Sequence, residues 1–197
     1  MKRRLIIVVL VGLATIIIVL TIAARMAFNT DTIPTGTVQK TVTSKDRTLI
    51  AYEQTGTGPP VILVAAALAD RGGARRLAGH LAGHFTVINY DRRGRGTSAD
   101  TQPYAVHREV EDIDALIEAS GGTALLFGSS SGAVLALDAA NKLGSKVQRL
   151  FLYEPPLIVD DSRPPMPDDL IRDVNELSAA GRRNAEGSNG TTYGTLV

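Results

Sequence analysis

The sequence predicts an α/β protein built on a mainly parallel, doubly wound sheet. After two strand-like segments, the chain alternates strand, helix, strand, helix, strand, helix and strand up to residue 153. Alternation of this kind is typical of parallel sheets that carry helices on both faces. The segment Val-Ile-Leu-Val at residues 61–64 is wholly apolar, as expected for a strand that is buried on both sides.

Apolar periodicity and turn residues predict the individual elements. Residues 38–43 and 49–55 are expected to form a hairpin around the polar turn 44–47. Further strands are predicted at 61–64, 85–90, 123–127 and 147–153, and helices at 71–81, 105–120 and 133–143. In the second of these helices, Val106, Val110, Ile113 and Ile117 recur on one face.

The N-terminal segment is typical of a membrane anchor. Residues 5–24 contain no charged side chain and follow the basic start Lys2-Arg3-Arg4. As a helix they would extend about 30 Å, which matches the hydrocarbon core of a bilayer. We therefore expect an uncleaved signal anchor at residues 1–25, with a cytoplasmic N-terminus and the rest of the chain outside the cytoplasm. The alternative is a signal peptide that is cleaved to release a secreted protein.

The composition limits the possible functions. The 197 residues are 44% hydrophobic with a net charge of +1, which suits one domain with appendages and gives no indication of nucleic-acid binding. The absence of cysteine excludes disulfides, thiolate metal ligands and a cysteine nucleophile. His80 and His84 have a spacing that can hold a metal, but no third ligand is evident. We expect no metal and no cofactor.

The stretch Gly-Ser-Ser-Ser-Gly at residues 128–132 is the strongest candidate site. It joins the predicted strand 123–127 directly to the predicted helix 133–143 and places Gly128 and Gly132 two residues either side of Ser130. A turn this sharp strains the backbone of Ser130 and leaves no space for side chains at the two flanking positions. Ser130 is therefore the candidate nucleophile, and the N–H of Ser131 is a candidate oxyanion donor.

Other polar or small-residue loops begin at the same edge of the predicted sheet. Residues 65–69, 91–98 and Glu154 each follow a predicted strand, as Ser130 does. Ligands of such sheets bind at the carboxyl ends of the strands. We expect Asp91 and Arg93 to hold the 91–98 loop in place near this site.

Together these segments resemble the α/β-hydrolase family. Residues 128–132 resemble its nucleophile elbow, and Tyr-Asp-Arg-Arg-Gly-Arg-Gly-Thr-Ser at 90–98 resembles the D-x-R-G-x-G-x-S loop after its fourth strand. The resemblance covers roughly residues 38–183 and implies a hydrolase core at 38–154 and a partial cap at 155–183. Residues 26–37 are expected to be a linker, and the Gly-, Ser- and Asn-rich residues 184–197 a disordered tail.

Three departures from the family pattern bear on activity. The oxyanion loop has Ala65-Ala66 where the family usually has His-Gly, so the resemblance implies Ala67 as the second oxyanion donor by place alone. No histidine follows Ser130 in the sequence, although the family order is nucleophile, acid, histidine. The last two strands of the family sheet are also missing from the predicted elements. Glu154 lies where some family members carry the acid.

Two functional hypotheses remain. The resemblance implies a membrane-anchored serine hydrolase that acts on an ester or related acyl bond of a small molecule, with activity impaired by the missing histidine and acid. The alternative is a non-catalytic, truncated fragment or binding module of the same fold. The predicted final strand 147–153 would then form an open edge that can pair with a partner strand.

Overall fold

The computed structural model describes residues 33–157, 159–160, 169, 172, 176, 185–186 and 192–193. Contacts divide the chain into two compact units, residues 1–155 and 156–197. The predicted anchor at residues 1–25 lies outside the described residues. Among those that are described, no helix combines the length and hydropathy that a membrane crossing requires.

The first unit contains a six-stranded sheet in the order β1-β2-β4-β3-β5-β6. Strand β2 is antiparallel to β1 and β4, whereas β3 is parallel to β4 and β5, and β5 is parallel to β6. The mainly parallel α/β sheet predicted from the sequence is therefore confirmed. The strands are β1 Val38–Thr43, β2 Leu49–Thr55, β3 Pro60–Val64, β4 Thr86–Tyr90, β5 Ala124–Ser129 and β6 Val147–Tyr153.

Helices cover both faces of this sheet. Helix α1 (Arg75–Leu81) packs on one face, and helices α2 (Val106–Ala119) and α3 (Ser131–Leu143) pack on the other. Successive residues of β3 enter the two cores in turn: Ile62 and Val64 face α2 and α3, whereas Val61 and Leu63 face α1. This double burial is the reason that residues 61–64 are all apolar.

All three predicted helices differ from the observed ones, and α3 begins at Ser131, two residues before the predicted start at 133. The predicted helix 71–81 opens with a 3₁₀ turn at Arg71–Ala74, because Asp70 accepts the N–H of Gly72 and the two glycines at 72 and 73 disfavour an α-helical start. Val106 was expected on the buried face of α2, but 53% of its surface is exposed. It is the first residue of the helix, and residues 101–104 before it are themselves exposed.

Little of the second unit is described. Ala185–Glu186 and Thr192–Tyr193 form a two-residue antiparallel pair, β7 and β8. Most of the predicted cap segment 155–183 and of the tail 184–197 lies outside the described residues. The partial cap and the disordered tail therefore stay predictions.

Arg93 joins three elements of the first unit beneath the 91–98 loop. Its side chain is fully buried, and its guanidinium donates to both carboxylate oxygens of Asp112 on α2, at 2.8 and 2.7 Å. Its Nη1 donates to Asp46 in the β1–β2 turn at 2.8 Å. The hydrogen bond from Arg93 holds the pKa of the Asp46 carboxyl well below its usual range. Asp91 and Arg93 do hold this loop, as the sequence predicts.

Replacing Arg93 with methionine is expected to lower the free energy of unfolding by about 3–5 kcal/mol, because it leaves the buried Asp112 carboxylate without its main partner. Urea denaturation measures the change. Lys142→Met is the matched control, since Lys142 pairs with Asp138 on the exposed face of α3 and should cost no more than about 0.5 kcal/mol. Equal losses in the two variants would contradict the structural role of Arg93.

Candidate functional site

Ser130 sits in a strained turn between β5 and α3. Its backbone has φ of 52° and ψ of −122°, in the left-handed region that side chains rarely adopt. Two hydrogen bonds hold it there: Ser130 N–H donates to the carbonyl of Tyr153 at 2.9 Å, and Ala133 N–H donates to the carbonyl of Ser130 at 2.9 Å. The turn places Ser130 at the carboxyl end of a central strand and at the start of a helix.

The two glycines that flank Ser130 are required by close backbone contacts. A Cβ atom on Gly128 would lie 2.4 Å from the carbonyl oxygen of Gly132. A Cβ atom on Gly132 would lie 2.3 Å from the carbonyl oxygen of Val64 and 2.5 Å from that of Ala65. These contacts bring the elbow against the end of β3, where the predicted oxyanion loop begins.

The two predicted oxyanion donors lie on either side of this contact. Ser131 is the first residue of α3, so its N–H has no carbonyl partner within the helix. Ala67 lies in an exposed turn two residues after the buried Ala65. Within the described part of the chain, the N–H of Ala67 has no hydrogen-bond partner. Both N–H groups are therefore available to a ligand, and their catalytic role stays a prediction.

Arg92 connects the oxyanion loop, the elbow and helix α2. Its Nη1 donates to the carbonyl of Ala65 at 3.2 Å and to Ser131 Oγ at 3.4 Å. Its Nε and Nη2 donate to the two oxygens of Glu109 at 2.5 and 2.6 Å. Tyr104 donates its hydroxyl to the same carboxylate at 2.7 Å. Arg92 thus ties the start of the predicted oxyanion loop to the first residue of α3.

Burial and pairing act in opposite directions on this ion pair. Burial favours the neutral form of the Glu109 carboxyl, but the hydrogen bonds and charge of Arg92 outweigh it and lower the pKa of Glu109. Burial likewise favours deprotonated Arg92, but the Glu109 carboxylate raises the pKa of Arg92. Both groups therefore stay charged at neutral pH.

Arg92 and Glu109 are functional-site residues that no motif in the sequence predicts. One signal could have revealed them: Glu109, Asp112, Ile113 and Leu116 follow the i, i+3, i+4, i+7 spacing of one helix face, and all four are buried. Carboxylates on an apolar stripe require cations opposite them. The neighbouring Arg92 and Arg93 in the 91–98 loop are those cations.

Asp91 fixes the start of the same loop. It accepts hydrogen bonds from the backbone N–H and Nη1 of Arg71, at 2.8 and 2.6 Å, and from the N–H of Thr97 at 2.8 Å. Arg71 also contacts Glu53 of β2, which in turn binds Arg75. Burial favours neutral Glu53, but hydrogen bonds from Arg75 and Arg71 lower its pKa. The Asp91 carboxylate therefore has a structural role, in which it holds the loop through Arg71 and Thr97.

Glu154, the candidate acid, belongs to a backbone segment that contacts the elbow. It directly follows Tyr153, whose carbonyl accepts the N–H of Ser130 and which pairs with Ser129 in the β5–β6 register. Its φ is 47°, so Glu154 is the second residue in this neighbourhood with a left-handed backbone. Its side chain is exposed. The role of Glu154 as triad acid stays a prediction.

The histidines lie away from this turn. His80, His84 and His107 are all exposed. His80 is in the last turn of α1, and the His84 carbonyl lies against Gly58, at the amino end of β3, whereas Ser130 is at the carboxyl end of the parallel strands. In the described part of the chain, no group of three or more His, Asp or Glu side chains could hold a metal ion.

A cavity of about 500 Å³ adjoins the oxyanion loop. Residues from three segments line it: the loop after β3, the 3₁₀ turn and the 91–98 loop, namely Ala67, Leu68, Ala69, Asp70, Gly73, Arg95 and Gly96. Ser130 is not among the lining residues. Ala67 is the residue that the cavity and the predicted oxyanion hole have in common.

Comparison with known proteins identifies the family of this fold. The sequence profile of the alpha/beta hydrolase family matches residues 61–194. An alpha/beta hydrolase from Sphaerobacter thermophilus, of known crystal structure, is 57% identical with a TM-score of 0.70, over 73% of this chain and 56% of that one. The esterase RhEst1 from Rhodococcus is 26% identical with a TM-score of 0.54, over 58% of this chain and 44% of that one.

A curated relative gives the same picture. The uncharacterized hydrolase YraK from Bacillus subtilis is 34% identical over 113 residues, which are 55% of this chain and 42% of that protein. The chain thus spans about half the length, or less, of these relatives.

Proposed function

The chain belongs to the alpha/beta hydrolase family, and from that membership we propose that it is a serine hydrolase in which Ser130 attacks an ester or related acyl bond of a small molecule. One observation carries the proposal. Ser130 is held at φ 52° between a central strand and a helix, with both flanking glycines in backbone contact. Structures keep such strain mainly at functional sites. A serine nucleophile also agrees with the esterase name of the Rhodococcus relative.

The proposed reaction follows the acyl-enzyme route. Ser130 Oγ bonds to the acyl carbon as its proton passes to a base, and the N–H groups of Ala67 and Ser131 bind the oxyanion that forms. The intermediate collapses, the alcohol leaves with a proton, and water then hydrolyses the acyl-enzyme. Glu154 would orient the base.

Activation of Ser130, rather than its placement, limits the turnover expected of these residues. No histidine hydrogen-bonds to Ser130 in the described part of the chain, and none follows it in these 197 residues. For these residues alone we propose turnover that is lower by a factor on the order of 10⁴–10⁶ than that of a complete triad, because the oxyanion hole acts without a base.

A fluorophosphonate probe tests the nucleophile directly. Because the oxyanion donors are in place but the base is not, we expect the full chain to form a covalent adduct on Ser130 slowly, under prolonged exposure to excess probe. Mass spectrometry of the digested protein locates the adduct, and Ser130→Ala should form none. Ser145→Ala is the matched control, since Ser145 is an exposed serine in the turn after α3. Folded protein that labels no faster at Ser130 than at Ser145 under this prolonged exposure would rule out the serine-hydrolase proposal.

We also propose that residues 5–24 anchor the protein in the cell membrane, with the hydrolase unit outside the cytoplasm. The support is the uncharged length of this segment and the basic residues Lys2, Arg3 and Arg4 before it. The full chain is expected to stay in the membrane pellet after alkaline carbonate extraction, and a variant without residues 1–25 to be released. An N-terminus starting beyond residue 25 in the mature protein would instead indicate a cleaved, secreted form.

A second candidate function, that of a binding module, is favoured by the edge strand β6. Within the described sheet, β6 is the terminal strand and pairs only with β5. Phe151, Leu152 and Tyr153 at its end are 51%, 39% and 55% exposed. An unpaired apolar edge is a template for strand addition. A second copy of the chain presents the same edge, so we propose pairing of two β6 strands about a two-fold axis.

Lysine at position 152 is expected to abolish this pairing, because a charge on an edge strand opposes strand addition. Size-exclusion chromatography with light scattering should give a dimer for the wild-type chain and a monomer for Leu152→Lys. Val134→Lys, a substitution of a partly exposed residue on α3, should leave the dimer intact. A wild-type monomer with amides at Val147–Tyr153 that are protected from hydrogen exchange would contradict an unfilled edge.

A further inference from the structure

The loop at residues 91–98 carries three arginines, and among the described residues only two of them have carboxylate partners. Arg92 binds both oxygens of Glu109, and Arg93 binds Asp112 and Asp46. Arg95 makes no ion pair and donates no side-chain hydrogen bond within the described part of the chain. Its Nη1 is buried without a partner.

The carboxylates around Arg95 are already committed. Glu109 is held by Arg92 and Tyr104, and Asp91 by Arg71. A buried guanidinium N–H without an acceptor costs free energy, and a change of the Arg95 rotamer that turns this N–H toward an acceptor in the adjoining cavity would recover it. Burial and the nearby charge of Arg92 both lower the pKa of Arg95, which is the expected electrostatic result of a cation that lacks a counter-ion.

Arg95 lines the cavity next to the oxyanion loop. Ala67 lines the same cavity and is also a predicted oxyanion donor. A volume of about 500 Å³ lies within the usual range for small-molecule sites. Asp70 also lines the cavity, but its carboxylate is exposed to water and accepts the N–H of Gly72 at 2.7 Å. Arg95 is thus the one lining residue whose charged group lacks a partner among the described residues.

We propose that Arg95 binds a carboxylate on the acyl portion of the substrate, so that the preferred substrates are monoesters of short dicarboxylic acids. The guanidinium fork matches a carboxylate in a bidentate arrangement. With the acyl carbon at Ser130 and the oxyanion at Ala67, the distal carboxylate would enter the cavity beyond Ala67. This inference rests on the proposed serine-hydrolase function for the orientation of the substrate, but the anion site itself does not.

Binding in the absence of turnover tests the inference. The full chain with Ser130→Ala is titrated with monomethyl succinate and, as the neutral analogue, methyl butyrate, and affinities are measured by calorimetry. We expect monomethyl succinate to bind at least tenfold more tightly than methyl butyrate. Adding Arg95→Gln should lower the affinity for monomethyl succinate by roughly ten- to a hundredfold and leave the affinity for methyl butyrate unchanged. Adding Arg95→Lys should retain part of the affinity.

The matched control is Arg76→Gln, since Arg76 is exposed on α1 and does not line the cavity. It should leave both affinities unchanged. Equal affinity for the charged and neutral esters in Ser130→Ala would overturn the inference, and so would an equal loss in the Arg95 and Arg76 variants. If Arg95→Gln fails to fold by circular dichroism, the charged-to-neutral preference and Arg95→Lys decide the question.

The outcome is separable from that of the serine-hydrolase proposal. Failure of fluorophosphonate to label Ser130, with an intact preference for monomethyl succinate, would overturn the hydrolase proposal and leave the anion site. Labelling of Ser130 without a preference for monomethyl succinate would overturn the anion site and leave the hydrolase proposal.

Discussion

The site depends on the close approach of two backbone segments, the elbow around Ser130 and the end of β3. Gly132 lies so near the carbonyls of Val64 and Ala65 that a single methyl group would overlap both. This approach keeps Ser130 in the left-handed region and brings the N–H of Ser131 beside the loop that carries Ala67. Neither segment could hold this geometry alone, because a strained residue persists only where its surroundings determine it completely.

A layer of buried arginines and carboxylates supports the close contact between the elbow and the end of β3. Arg92 reaches the Ala65 carbonyl and Ser131 Oγ from one side, and its charge is balanced by Glu109 of α2. Arg93 and Asp91 tie the same loop to α2, the β1–β2 turn and Arg71. Charges held in a low-dielectric interior are costly unless paired. The exception, Arg95, is therefore informative, because it is the cation of this loop that faces a cavity.

The sequence predicts the order of the elements well, and it predicts their ends less well. The β1–β2 hairpin and β6 have the predicted bounds, since turn residues and apolar runs are local signals. The helix predicted at 71–81 is divided, because Asp70 caps a 3₁₀ turn that contains two glycines. Val106 fits the periodicity of α2 yet is exposed, because periodicity indicates a face but not how far the packing extends along it.

The sequence by itself determined the position of Ser130, since Gly-x-Ser-x-Gly between a strand and a helix follows from the steric demands of a sharp turn. It also determined that β3 is buried on both faces, because only such a strand is apolar throughout. The tertiary structure decided which charges are paired. Arg92, Arg93 and Arg95 lie within four consecutive positions of one loop. The sequence predicts a structural role for Arg93 but does not distinguish Arg92 from Arg95. Only the packing of α2, which presents Glu109 and Asp112 to the first two, decides that the third has no partner among the described residues.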